Sequence, residues 1–138
     1  KNAIRLEAYV MASSLAINNG DGTFELRPLP AEAQFSTVYA VQTGDFDGDR
    51  KPDIVLGGNL YEVKPEVGRY DASYGLFLRG DGAGNFQPVR AAQSGLVLDG
   101  QVRDIRSLRI GEKELLLVAR NNASLQVYQA KAPPRLPD

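Results

Sequence analysis

The chain has 138 residues, 43% of them hydrophobic and 24% charged, with a formal net charge of −1. This is enough for one domain with a sizeable core, and so small a net charge gives no field to draw in nucleic acid or an anionic membrane. Cysteine and histidine are both absent, which removes Ser–His and Cys–His nucleophilic systems, thiol redox chemistry and the usual zinc sites.

No apolar run is long enough to span a bilayer, so membrane insertion is not expected. The sequence starts at Lys1 without a Met, which suggests a segment of something longer, with any signal peptide outside it. The run Ala8–Ile17 ends in Asn18-Asn19-Gly20-Asp21-Gly22, which predicts a strand entering a hairpin with its return strand at Phe24–Leu29. Residues 1–12 alone fit a helix equally well. Pro28 and Pro30 close the unit, because proline cannot donate to a sheet ladder.

A run rich in β-branched and aromatic residues, Gln34–Phe46, then feeds the stretch TGDFDGDRKPDIVLGGN at 43–59. Asp45, Asp47 and Asp49 stand at alternate positions and Asp53 follows four residues later, directly before the apolar run Ile54-Val55-Leu56. Calcium takes 6–8 oxygen ligands, and a tight loop supplies carboxylates from positions 1, 3, 5 and 9 and a backbone carbonyl from position 7. Counted from Asp45, these are Asp45, Asp47, Asp49, the carbonyl of Lys51, and Asp53. Four carboxylates in so short a loop repel one another unless a cation sits among them, and Gly48 lets the backbone turn between them. Leu56 at position 12 and the lack of flanking helices exclude an EF-hand, and the same features count against a dockerin-like or thrombospondin-like segment. The alternative is a solvated acidic turn.

The longest excursion, 59–73, carries Tyr61, Glu62, Glu66, Arg69, Tyr70 and Asp71. Long connections tend to be binding loops, and Tyr and Arg are enriched at recognition hot spots. Tyr61, Arg69, Tyr70 and Asp71 are therefore candidate ligand contacts for a protein or a glycan, against the alternative that the rings pack onto their own blade. Glu62, Glu66 and Asp71 could supply a glycosidase-like acid pair only if they converged. Tyr74–Leu78 is the next predicted strand. It leads through Gly80-Asp81-Gly82-Ala83-Gly84-Asn85 to a return at Phe86–Val89, repeating the hairpin at Leu15–Phe24 with a spacing of about 60 residues. The Gly-Asp-Gly hairpins lie between strands, so they are turns with φ > 0 rather than phosphate loops.

A second copy continues through Gly100–Ile110, which by apolar spacing alone also suits a helix, then Gly111-Glu112-Lys113 in place of the acidic loop, Leu115–Ala119, and Ser124–Gln129. Asn122-Ala123-Ser124 matches a glycosylation sequon by a pattern too short to carry weight. The end, Pro133–Asp138, is a tail that cannot pair. Repeats of this length with four short strands each are the signature of β-propeller blades, and continuous apolar runs indicate strands covered on both faces. The expected fold is all-β, a propeller fragment of about two four-stranded antiparallel blades. It comprises an outer hairpin at 8–30, a complete blade at 35–90 with the calcium loop at 45–53, a partial blade at 100–130, and a tail at 131–138.

Gly44-Asp45-Phe46-Asp47-Gly48-Asp49-Arg50-Lys51-Pro52-Asp53-Ile54-Val55, together with the Asn-Gly-Asp-Gly-Thr-Phe hairpin at 19–24, resembles the FG-GAP/VCBS repeats of integrin-α-like propellers. The resemblance implies a structural Ca2+ bound between the first and second blade strands, export to the cell surface, periplasm or exterior, and a role in adhesion or recognition without catalysis. Arg50 stands where many relatives have Gly, which implies an altered turn. The second copy has lost the acids and is expected to bind no metal. Too few blades are present to close a ring, and open strand edges invite self-association.

Overall fold

The computed structural model describes residues 3–111 and 113–130. The expected tail at 131–138 and Glu112 lie outside the described residues. The strands are β1 (Ser14–Asn18), β2 (Phe24–Pro28), β3 (Val38–Gly44), β4 (Asp53–Gly58), β5 (Leu76–Gly80), β6 (Phe86–Val89), β7 (Val102–Ile110), β8 (Lys113–Arg120) and β9 (Gln126–Gln129). They form a two-stranded sheet β1-β2, a four-stranded sheet β3-β4-β5-β6 and a three-stranded sheet β7-β8-β9, with every pairing antiparallel. The fold is the all-β propeller fragment that the repeat predicts, with one complete blade and two partial ones.

Several boundaries differ from the sequence expectation. The first strand begins at Ser14 rather than Ala8, and residues 3–13 adopt neither strand nor helix. Of the run at 34–46 only Val38–Gly44 is strand, because Ala31–Gln34 forms a 3-10 turn that starts just after Pro30. The helical alternative for 100–110 is overturned: β7 pairs with β8 along its length, which supplies backbone partners that residues 3–12 do not have. A short helix, α1 (Ala91–Ser94), ends on Gly95 in the left-handed region at φ 72°.

The burial of β4 follows from its position. It is central in its sheet, and all its residues from Asp53 to Gly58 are buried. Because side chains alternate along a strand, Val55 points to one face, among Ala40, Phe46, Phe77, Leu98, Ile105 and Val118. Ile54 and Leu56 point to the other face, with Ala33, Leu78, Leu29 and Phe86. A continuous apolar run is thus what a strand sandwiched between neighbours requires. In the third sheet only one face is so covered. Leu116 and Val118 join the Val55 cluster, while Leu115 and Leu117 are half-buried and Leu108 and Val127 are exposed.

Glycine sets the spacing between the second and third sheets. A Cβ on Gly57 would come within 2.6 Å of Val102 Cγ1, so β4 and β7 approach as closely as they do only because that side chain is missing.

Candidate metal centre

The pair Gly44↔Asp53 closes the β3–β4 ladder, and the chain between them is the acidic loop. Asp45, Asp47 and Asp49 each offer a carboxylate oxygen within 4.8 Å of the others. The loop turns back on itself at Gly48 and Arg50, with φ of 84° and 67°. The carboxylates are oriented by the loop's own amides. Gly48 N–H and Arg50 N–H donate to Asp45 Oδ1 and Oδ2 at 2.7 and 2.9 Å, Asp49 N–H donates to Asp47 Oδ1 at 3.2 Å, and Lys51 N–H donates to Asp49 Oδ1 at 2.9 Å. Each carboxylate has about four lone-pair sites, so these bonds fix its direction and leave acceptor capacity.

The structure does not bring Asp53 into this group. It is fully buried, and Phe46 N–H and Gly80 N–H donate to its Oδ2 and Oδ1, both at 3.0 Å. One carboxylate therefore ties the loop to the far end of β5. Burial pushes its pKa up, the two N–H donors oppose that, and the nearby charges of Asp47 and Asp49 push it further up. Lys51 lies on the loop with its ammonium 3.7 Å from Asp49 Oδ2. Arg79, on β5, places Nε 2.6 Å from Asp47 Oδ2.

The donor chemistry fits a hard divalent cation. The gathered side chains present only oxygen, and two oxygens on opposite sides of a calcium ion stand up to about 5 Å apart, at 2.3–2.6 Å each from the metal. Asp45, Asp47 and Asp49 can hold a metal ion.

The excursion at 59–73 lies at the other end of β4. It is pinched at its neck, where Leu60 and Tyr70 exchange backbone hydrogen bonds of 2.8 and 2.9 Å. The guanidinium of Arg69 stacks over the Tyr61 ring at 5.0 Å, while Tyr70 and Asp71 are exposed. Two hydrogen bonds tie the excursion to residues flanking the strands of the third sheet. Tyr61 N–H donates to Gln101 Oε1 at 3.0 Å, and Asn121 Nδ2 donates to Glu62 Oε1 at 2.8 Å. Glu62 and Asp71 join no gathered trio of acids; among the described residues that grouping is Asp45, Asp47 and Asp49.

Sequence reasoning missed the residue that anchors this end. Asn59 is buried with φ 80°. Its Nδ2 donates to the carbonyls of Ser73 (2.6 Å) and Gly100 (3.0 Å), and its Oδ1 accepts from Ser36 Oγ (2.8 Å) and Ser73 N–H (3.1 Å). Arg103 Nη1 donates to its carbonyl at 3.0 Å. An Asn just after Gly57-Gly58 at the end of a buried run was the available signal, since Asn tolerates the left-handed region and both donates and accepts. Gln34, also passed over, bonds the backbone of Ser13 and Leu29 and fastens the first hairpin to the 3-10 turn. In the second copy, Ile110 pairs with Lys113 around Gly111 at φ 62°, so a tight turn stands where the acidic loop would be. Gly20, Gly22, Gly82 and Gly84 all have positive φ, as the hairpin reading requires.

Antiparallel sheets packed face to face, with an oxygen-lined loop between first and second strands, define a propeller-type structural or binding module. A family model described as FG-GAP-like repeat matches residues 8–56. The matched unit runs from the first hairpin through the acidic loop into β4 and straddles two sheets. No curated protein and no solved structure matches the chain. No helix of the described residues is long and apolar enough to cross a membrane.

Proposed function

We propose that the chain is a calcium-stabilised propeller segment of an exported protein that serves adhesion or recognition, without catalysis. The observation that carries this reading is the gathering of Asp45, Asp47 and Asp49 within 4.8 Å at the β3–β4 joint of an FG-GAP repeat. The cation would be held by these carboxylates, with the Lys51 carbonyl and Asp53 as the further ligands that the loop spacing proposes. When bound, it neutralises acids that otherwise repel, and so adds to the folding free energy. The residues prepare for this themselves: loop amides aim the carboxylates, and Asp53 holds the loop onto β5. The division into an outer hairpin at 8–30, a complete blade at 35–90 and a following partial blade at 100–130 belongs to the same proposal.

The test is thermal unfolding with calcium and with chelator. A melting temperature that does not respond to calcium would overturn the calcium part of this reading. A glycan on the 59–73 face is the second reading, and Tyr70, with 45% of its surface exposed, is the ring that supports it. Tyr61 is already covered by Arg69. Glycan-array binding lost in Tyr70→Ala would favour that reading.

A further inference from the structure

The turn between β8 and β9 holds a sequence motif that the proposed function leaves unused. Of the asparagines in the chain, only Asn122 is followed two residues on by Ser or Thr, with Ala123 rather than Pro between them. That is the acceptor pattern for an N-linked glycan. By itself so short a pattern is weak, and the structure supplies what it lacks.

Asparagine side chains in this fold are structural parts. Gly20 N–H donates to Asn18 Oδ1 at 2.8 Å. The Nδ2 groups of Asn19, Asn85 and Asn121 donate to Thr23 Oγ1, Asp81 Oδ2 and Glu62 Oε1 at 3.0, 2.6 and 2.8 Å. Asn59 is buried and both donates and accepts. Among the described residues Asn122 is the exception, exposed and with an amide that joins no hydrogen bond. Ser124 is exposed too, and only its carbonyl is bonded among the described residues. Both polar side chains that the pattern requires are therefore idle in the folded chain.

The turn holds its shape without them. Arg120 braces it, donating from Nε and Nη2 to the Ser124 carbonyl at 3.1 and 2.8 Å and pairing through Nη1 with Asp99 at 2.6 Å. Asn121 N–H donates to the Gln101 carbonyl at 2.8 Å. Asn122 sits at φ 52°, a region that Asn tolerates better than most side chains, so turn geometry favours an Asn here but asks only a carbonyl of Ser124. A bulky polar group added on this surface turn removes no hydrogen bond and displaces no core side chain.

We propose that Asn122 is an N-glycan acceptor whose substrate class is a lipid-linked oligosaccharide diphosphate. In the transfer, Asn122 Nδ2 bonds to the anomeric carbon of the sugar as that carbon's bond to the lipid diphosphate breaks. The amide gives one proton to a base of the transferase, the lipid diphosphate departs with the electron pair, and nothing is oxidised. The glycan stands beside the 59–73 excursion, because the neighbouring Asn121 is bonded to Glu62. It screens that flank and leaves the acidic loop, at the other end of β4, open.

The proposal rests on the exported reading for the chain to meet such a donor, so the experiment supplies the export. The full chain, given a signal peptide, is secreted from a eukaryotic culture and its intact mass is measured. A heavier species is expected, and a peptide N-glycosidase should remove the added mass. Asn122→Gln and Ser124→Ala should each lose the heavier species, and Asn121→Gln should keep it. The glycosylated chain should retain the circular dichroism spectrum of the chain made without glycan. Secretion at the unmodified mass would overturn the proposal. So would a heavier species that survives Ser124→Ala, or a glycosylated chain whose sheet signal is lost. A chain that its own cell retains would overturn the exported reading, a result distinct from an unmodified chain in secretory culture.

Discussion

Arg79 Nε stands 2.6 Å from Asp47 Oδ2, so one of the three gathered carboxylates is already paired with a cation delivered by β5. The pair is partly solvated, with 53% of the Arg79 side chain exposed, and pairs of that kind contribute less than about 1 kcal/mol. Arg79→Ala should leave the metal-free protein slightly less stable. It should also strengthen calcium binding by about 0.5 kcal/mol, a little over twofold, because no protein cation then competes for Asp47. Calorimetric titration in low salt checks both. Weaker calcium binding in Arg79→Ala would show that the guanidinium supports the bound loop instead of competing with it.

Asp47 and Asp53 should separate cleanly by mutation. Calcium at a hundredfold excess over its Kd stabilises a folded state by about 2.7 kcal/mol, a melting shift of roughly 10 °C for a chain of this size. Asp47→Ala should remove that shift and change little in chelator. Asp53→Ala should cost about 3 kcal/mol even in chelator, because it leaves the buried Phe46 and Gly80 N–H groups without an acceptor. Equal behaviour of the two variants in chelator would show that Asp53 has no structural role apart from the ion.

Arg50 adopts φ 67°, the left-handed region that a side chain enters at a cost. Arg50→Gly relieves that cost and loosens the unfolded chain, so a net gain of about 0.5 kcal/mol is expected. Gly48→Ala, at φ 84°, should lose about 1–2 kcal/mol. Chemical denaturation measures both, and the opposite signs are the result to look for.

The Gly57–Val102 approach predicts a coupled pair. Gly57→Ala should cost about 1–3 kcal/mol by overpacking, since its Cβ would meet Val102 Cγ1 at 2.6 Å. In the Val102→Ala background the same change should cost at least about 0.5 kcal/mol less. Additive effects would mean that the two sheets slide apart rather than clash.

The hairpin carboxylates have a defined pH sign. Asp81 is held below the ordinary carboxylate pKa first by the Asn85 side chain and then by the N–H groups of Ala83 and Asn85. Asp21 is lowered chiefly by the Thr23 hydroxyl. A depressed folded-state value means that stability is present above the unfolded carboxylate pKa and is lost as pH falls through the folded one. Carboxyl chemical shifts followed through an acid titration should place both midpoints below that of an unstructured Asp.

How much of this was legible in the sequence depends on the range of the interactions. The acidic spacing at 45–49, the apolar run Ile54-Val55-Leu56 and the Gly-Asp-Gly turns are local. They set loop chemistry, strand burial and hairpin geometry within a few residues, so all-β structure and an oxygen-rich loop could be read directly. The start of β1 at Ser14 could not. Residues 3–13 carry strand-like alternation, and whether such a segment becomes a strand depends on an edge to pair with, which only packing supplies.

Asp53 shows the same division within a single residue. Its position in the loop repeat was evident from spacing. Its attachment to Phe46 and Gly80 was settled by β5 arriving beside β4 from a later part of the chain. Asn59 is the extreme case, since its partners Ser36, Ser73, and Gly100 with Arg103 come from three separate stretches. The sequence by itself determined the strands, turns and acids, because those follow from backbone preference and nearest-neighbour charge. The tertiary structure alone decided which polar groups meet, because buried donors and acceptors must find partners wherever the fold brings them.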